Sequence, residues 1–203
     1  MLQFEIMSKF VLMARMYIIS GCNGAGKTTA TYTILPDMLN LDEYVNADEI
    51  AERLSPENPA KEALRASRLM MERVNELIAK NEDFGIETTL ATRSFAKTVV
   101  DAQNKGYMVI IVFFWLKSPE LALKRVALRV AAGGHGIDRE TIFRRYAQGI
   151  ENLRNIYIPL CNYWLIMDNS ESKAIKIAEG GLSYPVKIYN EKIYNEITEL
   201  KLF

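Results

Sequence analysis

MYIISGCNGAGKTTA, residues 16–30, decides how the rest of the chain is read. It begins as a short apolar run, passes through a glycine-rich loop and ends as a helix start. Gly21-Cys22-Asn23-Gly24-Ala25-Gly26-Lys27-Thr28 satisfies the Walker A pattern G-x-x-x-x-G-K-[ST] in every position. Glycines let backbone N–H groups converge without side-chain obstruction, and the helix N-terminus adds a partial positive charge. Such a loop holds polyphosphate largely by main chain. The spacing predicts a cradle of Gly21, Asn23, Gly24, Ala25, Gly26, Lys27, Thr28 and Thr29 for ATP or GTP. Lys27 would neutralise the β and γ phosphates, and the Thr28 hydroxyl would ligate Mg²⁺.

Outward from the loop, apolar runs alternate with amphipathic helical stretches, the pattern of a parallel sheet covered by helices on both faces. Residues 16–20, 43–48, 84–88, 107–116 and 163–169 read as five strands. YMVIIVFFWL (107–116) lacks polar alternation, so both its faces should be covered, as in a central parallel strand. Between the strands, residues 59–83 predict a long helix with Ala63, Met70, Val74, Leu77 and Ile78 on one stripe. Pro36 should end or kink the helix after the loop. Gly106 closes the helix that precedes the fourth strand. Ser118, followed by Pro119, and Asp138 are expected helix caps. Ile142, Tyr146, Ile150 and Leu153 should form a buried stripe. The tail repeats IYNE at 188–191 and 193–196, too short a repeat for a solenoid. The expectation is a three-layer α/β P-loop fold in one domain spanning 1–203, with an N-terminal extension (1–15), a lid loop (132–137) and a C-terminal tail (171–203).

Composition narrows the function classes. The 203 residues carry 25 basic and 25 acidic side chains, so no global field draws the chain to nucleic acid or an anionic membrane. A polynucleotide 5′-hydroxyl kinase, which needs a basic groove, is disfavoured on the same ground. Cys22 and Cys161 make no disulfide framework, which fits a reducing cytosol and a cytoplasmic protein. The opening MLQFEIMSKFVLMARM is interrupted by Glu5, Lys9 and Arg15 and is too short to span a bilayer. It reads as an edge strand, or as an over-called start given Met7, Met13 and Met16.

Other nucleotide-binding classes lack their marks. A GTPase would carry Asn-Lys-x-Asp, whereas Asn104-Lys105 runs into Gly106-Tyr107. An ABC-type ATPase would end its most apolar strand in Asp-Glu, whereas this one ends in Lys117-Ser118. What remains is acid at the ends of strands two and three. In a doubly wound sheet the carboxyl ends of neighbouring strands face one crevice beside the phosphate loop. Asp48 could accept a substrate hydroxyl's proton there or hold Mg²⁺ through water; it could also be the N-cap of the helix in NADEIAERL, with Asn46 shaping the turn. Glu87 could bind the acceptor or a metal-bound water, or be a paired structural acid. Arg125 and Arg129 share a helix face, Gly133-Gly134-His135-Gly136 permits a sharp reorientation, and Arg144-Arg145 follow. That is the composition of a mobile arginine-bearing lid, with a solvated face paired to Glu140 and Glu151 as the plainer reading. His135, without an acidic neighbour in sequence, reads as a loop side chain or an acceptor contact rather than a general catalyst.

GCNGAGKTT, NADEIA, IETTLA, the 106–135 segment ending in Gly-Gly-His, and MDNS together resemble the zeta-toxin-like P-loop kinases, in particular a compact bacterial group of predicted ATPases, over about residues 16–170. The resemblance implies a five-stranded parallel sheet of adenylate-kinase type and transfer of a γ-phosphate to a hydroxyl, in zeta toxins that of UDP-N-acetylglucosamine. It matches Lys27 to the loop lysine, Asp48 to the base ending strand two and Glu87 to the strand-three acid. It assigns phosphate contacts to lid arginines, here Arg125, Arg129 and Arg144, although these do not align one for one. By fold analogy Asn169 lies near the adenine. Cys22 stands where such loops often carry proline, and Ile137-Asp138 where this group tends to have Val-Pro. An antitoxin-like protein partner is compatible with the resemblance and is not legible in the residues. The competing reading is a nucleotide-binding regulatory or partner-binding module without an acceptor site.

Overall fold

Alternate residues of the first strand leave for opposite sides of one sheet, and that division sets the architecture. In the computed structural model, which describes residues 13–33 and 43–199, strand β1 (Arg15–Ser20) sends Met16 and Ile18 into one apolar cluster and Tyr17 and Ile19 into another. Strand β4 (Met108–Trp115) divides in the same way, with Val109, Ile111, Phe113 and Trp115 on one face and Val112 and Phe114 on the other. An unbroken apolar run is what a strand covered on both faces requires.

Between these strands lie α1 (Lys27–Thr33), β2 (Tyr44–Asn46), α2 (Ala47–Leu54), α3 (Pro59–Lys80), β3 (Phe84–Thr88) and α4 (Phe95–Asn104). After β4 come α5 (Pro119–Ala131), α6 (Arg139–Asn152), the short α7 (Ile158–Leu160), β5 (Tyr163–Asp168), β6 (Ile175–Gly181), β7 (Tyr184–Ile188) and α8 (Glu191–Glu199). The strand order is β2-β3-β1-β4-β5-β6-β7. The first five are parallel, while β5–β6 and β6–β7 pair antiparallel. Among the described residues the expected five-stranded parallel sheet is therefore a seven-stranded mixed sheet. Segment 171–199, expected as a tail, supplies the two added strands and α8, and buries Ile177, Ala178 and Ile197 in the larger cluster. β3, not β2, lies beside β1, so the strand leading to Asp48 is two places away.

Local chemistry accounts for most element ends. Ser118 and Asp138 cap α5 and α6, their side chains accepting from Leu121 N–H (3.2 Å) and Thr141 N–H (2.7 Å). Asn81 ends α3 in the left-handed conformation, at φ 57°. The Tyr107 hydroxyl bonds both the Leu77 and Glu82 carbonyls (3.0 and 2.9 Å), tying that helix end to the start of β4. Ahead of Pro159, α6 widens into a π turn over Leu153–Tyr157. Proline has no N–H and its ring collides with the carbonyl four residues back, so the preceding turn opens. On α3 the buried stripe is Ala66, Met70, Val74, Leu77 and Ile78; the predicted Ala63 is exposed and borders the cleft described below. Pro36 and residues 1–12 of the opening stretch expected as an edge strand lie outside the described residues, while its last two residues, Arg15 and Met16, begin β1, which lies between β3 and β4 rather than at an edge.

Candidate active site

The carboxyl ends of β1, β2, β3, β4 and β5 meet along one edge of the sheet, where a doubly wound fold opens its crevice. The loop from Gly21 to Gly26 turns there, between β1 and α1. Gly24 and Gly26 adopt φ 79° and 82°. A Cβ at Gly24 would stand 2.7 Å from the Ala122 carbonyl oxygen, and one at Gly26 would stand 2.5 Å from Asn169 Nδ2. Both positions therefore need glycine for conformation, and Gly24, facing a backbone carbonyl, needs it for space as well. Lys27 is 6% exposed, and its Nζ donates to the Cys22 carbonyl (3.1 Å) while standing 3.6 Å from Glu87 Oε1. Burial pushes the Cys22 thiol up to about 11, which keeps it protonated and chemically quiet at neutral pH.

Glu87 is the centre of the buried network. Three donors converge on its Oε2: Thr28 Oγ1 at 2.9 Å, Tyr44 OH at 3.0 Å and Asn46 Nδ2 at 3.2 Å. Tyr44 OH in turn accepts from Thr31 Oγ1 at 3.0 Å. Burial, and then the Glu87 carboxylate, push the Tyr44 phenol well above its ordinary range, so it stays a donor. Thr28 Oγ1 and Glu87 place hard oxygen atoms side by side next to the phosphate loop, the kind of donor that could serve Mg²⁺ if phosphate and water completed its shell. Among the described residues no group of three or more His, Cys, Asp or Glu forms a metal cage.

Asp48 stands exposed on the first turn of α2 and lines the cleft. The alternative that it caps this helix does not hold: Asn46 is the N-cap, its Oδ1 accepting from Asp48 N–H at 2.9 Å. The cleft measures about 1210 Å³ and brings together Lys27, Thr28, Thr29, Glu87 and Asp48 with the guanidinium groups of Arg125, Arg129, Arg144 and Arg145. Arg125 Nη2 donates to the Ser170 carbonyl (3.0 Å) and Arg129 Nη2 to the His135 carbonyl (3.0 Å). Glu151, expected opposite the lid arginines, pairs with Arg93 instead (3.0 Å). His135 reaches across the cleft mouth, with Nε2 3.2 Å from the Pro56 carbonyl and Nδ1 3.9 Å from Glu52 Oε1. Its acidic neighbour comes from space rather than sequence. Asn169 lines the same cleft, and its Nδ2 donates to the Ala25 carbonyl at 2.7 Å, pinning the loop after β5 against the phosphate cradle.

Sequence reasoning placed Arg145 in the lid beside Arg144 but chose Arg144 for the phosphate contact. Arg145 Nη1 donates to Asn23 Oδ1 in the phosphate loop at 3.0 Å, whereas Arg144 bonds Thr141 Oγ1 on its own helix at 3.4 Å. A signal existed: Arg145 follows buried Ile142 by three residues and so shares its inward side of α6. Tyr44 carried no comparable signal, because its partners Thr31 and Glu87 are distant in sequence.

The family model described as zeta toxin matches residues 12–161. An uncharacterized protein of Haemophilus influenzae is 26% identical over 137 residues, which is 68% of this chain and 96% of that protein. Among solved structures, a chain of the PezAT chromosomal toxin-antitoxin system of Streptococcus pneumoniae superposes with a TM-score of 0.65 at 15% identity, covering 94% of this chain and 80% of that one. A chain of the AvrRxo1-ORF1:-ORF2 complex with ATP gives 0.74 at 14% identity, over 94% of this chain and 65% of that one. A gluconokinase from Sinorhizobium meliloti gives 0.51 at 13% identity, over 79% and 85%. At these identities the structural likenesses show the α/β P-loop fold.

Proposed function

The chain belongs to the zeta toxin family, and on that premise we propose that it is a kinase transferring the γ-phosphate of ATP or GTP to a hydroxyl on a small molecule. The observation that carries this reading is one cleft with the phosphate loop at its floor and an exposed carboxylate, Asp48, on its wall. The ATP present in the AvrRxo1 complex supports ATP as the donor.

In this reading the main chain from Gly21 to Thr29 and the Lys27 ammonium hold the triphosphate. Thr28 and Glu87 would hold Mg²⁺, which supplies charge neutralisation at the phosphates. Asp48 accepts the acceptor's hydroxyl proton as the new oxygen–phosphorus bond forms; the bond from γ-phosphorus to the bridging oxygen breaks, and the nucleoside diphosphate leaves. Arg125, Arg129, Arg144 and Arg145 line the side on which negative charge spreads over the transferring group. A nucleotide sugar of the UDP-N-acetylglucosamine kind is the acceptor that the family resemblance favours. Two buried free cysteines suit a cytoplasmic setting, and the toxin-antitoxin origin of the PezAT structure favours an antitoxin-like partner.

The test is Asp48→Ala. The variant should bind ATP with wild-type affinity and lose transfer by on the order of 10²–10⁴-fold, the usual contribution of a positioned general base. Transfer is read with γ-labelled ATP and a bacterial metabolite extract. Equal labelling by wild type and variant removes Asp48 from the mechanism. ATP binding by the wild type with no labelled product favours the regulatory-module reading.

A further inference from the structure

We propose that Asn46 is a positioning residue, one side chain that holds the two candidate carboxylates, Glu87 and Asp48, in fixed relation. The proposal rests on the kinase reading for its consequence, though not for its geometry. Asn46 is the last residue of β2, and in the parallel register it sits directly beside Glu87 of β3. The two are buried together, at 6% and 9% exposure. Both ends of the amide are used. Nδ2 donates to Glu87 Oε2 at 3.2 Å, and Oδ1 accepts the N–H of Asp48 at 2.9 Å, which starts α2. The acid beside the phosphate loop and the backbone that carries the acid on the cleft wall are thus joined through a single planar group.

Asparagine is the residue type that fits both contacts. Aspartate keeps the cap but has no N–H to give Glu87 Oε2 and sets a second carboxyl group against it. Serine keeps the cap and loses the reach to Glu87. Of the three donors on Glu87 Oε2, Thr28 is the one that the kinase reading assigns to a cation, which leaves Tyr44 and Asn46 on that oxygen, with Lys27 3.6 Å from Oε1, to orient the carboxylate. Tyr44 is tied to α1 through Thr31, and Asn46 is a tie that runs to the first turn of α2. A displacement of about 1 Å at a reacting group commonly costs on the order of 10²-fold in rate.

The experiment compares the full-length wild type with Asn46→Asp and Asn46→Ser. Both variants keep a cap, and thermal unfolding checks that they are folded. Crystal structures should show the Glu87–Asp48 carboxylate separation changed by about 1 Å, twice the tolerance of about 0.5 Å typical of a working site. With γ-labelled ATP and the acceptor found in extract, kcat should fall on the order of 10²-fold while KM for ATP stays within about threefold. A structural role alone would move stability and both constants together. An unchanged separation in both variants overturns the tie whether or not the protein transfers phosphate. A changed separation with wild-type kcat overturns its functional consequence. Absence of transfer by the wild type itself defeats the kinase reading, and the crystallographic separation still decides the tie.

Discussion

At the scale of single residues, the phosphate loop was legible because its chemistry is contiguous: Gly21, Gly24, Gly26, Lys27 and Thr28 stand within eight positions, each for a reason that needs no distant partner. The choice between Arg144 and Arg145 was not, because adjacent arginines differ only in the side of α6 on which they fall. Arg145 bonds Asn23 in the loop, whereas Arg144 bonds its own helix turn. Removing Arg145 leaves Asn23, 3% exposed, without that charged partner, and a hydrogen bond to a charged group contributes about 1.5–3 kcal/mol. Arg145→Ala should therefore weaken ATP binding by about tenfold or more, and Arg144→Ala by less than about threefold. Titration calorimetry of both variants checks the order, and the reverse order would return the lid role to Arg144. Asp48 and Glu87 lay between these cases. Glu87 in β3 and Asp48 two residues beyond β2 could be read as lying near strand ends, but not that Asn46 would cap the helix and leave the Asp48 carboxylate on the cleft wall.

At the scale of elements, the hairpin of β6 and β7 is held on one side by a single carboxylate. Glu179 accepts from Lys176 (2.8 Å), Tyr189 OH (2.6 Å) and Tyr163 OH (2.8 Å), thereby joining β5, β6 and the exit from β7. Lys176 first, then the Tyr189 and Tyr163 hydroxyls, hold the carboxyl down at about 2, against an ordinary 4.5. A carboxyl whose pKa is lower folded than unfolded contributes stability above its unfolded value and loses it as pH falls through its folded value. The thermal midpoint of the wild type should exceed that of Glu179→Gln above pH 4.5, and the difference should shrink as pH falls from there and vanish below about 2. A difference independent of pH would mean that the carboxylate's charge contributes nothing there. Neither strand was predicted, for a physical reason. β7 is exposed along its whole length, so it shows no buried face to announce it, and its Pro185 argues against a central strand. The legible signal was the alternation in IKIAEGG before the two-residue turn Leu182-Ser183. The IYNE repeat shows how weak four residues are against context. Its first copy leaves β7 at Ile188 and enters α8 at Glu191, whereas its second lies inside that helix.

At the scale of the whole molecule, the five parallel strands and their loop were visible from periodicity, but where the sheet stops was not, because an edge is defined by what covers it. The family match runs over residues 12–161, and every residue proposed for catalysis lies within it. The fold does not stop there. β6 pairs with β5, Ile177, Ala178 and Ile197 are fully buried in the larger cluster, and Tyr194 stacks on Trp164 with ring centroids 6.4 Å apart. Burying an isoleucine contributes about 1.5–3 kcal/mol. The two isoleucines bury apolar surface that a chain shortened before them would leave uncompensated in the larger cluster, in a protein whose net stability is only about 5–15 kcal/mol. A chain ended after Ser170 would also bare the β5 edge, an open row of backbone donors and acceptors that invites pairing with other copies. It should therefore express largely as aggregate or unfold well below the wild-type midpoint, and bind ATP poorly, although it keeps the phosphate loop, Asp48, Glu87 and the four cleft arginines. Solubility, thermal unfolding and ATP binding of the shortened chain measure this. A soluble product with the wild-type midpoint and wild-type affinity would show that residues 171–203 are an appendage and that the parallel part of the sheet is sufficient by itself.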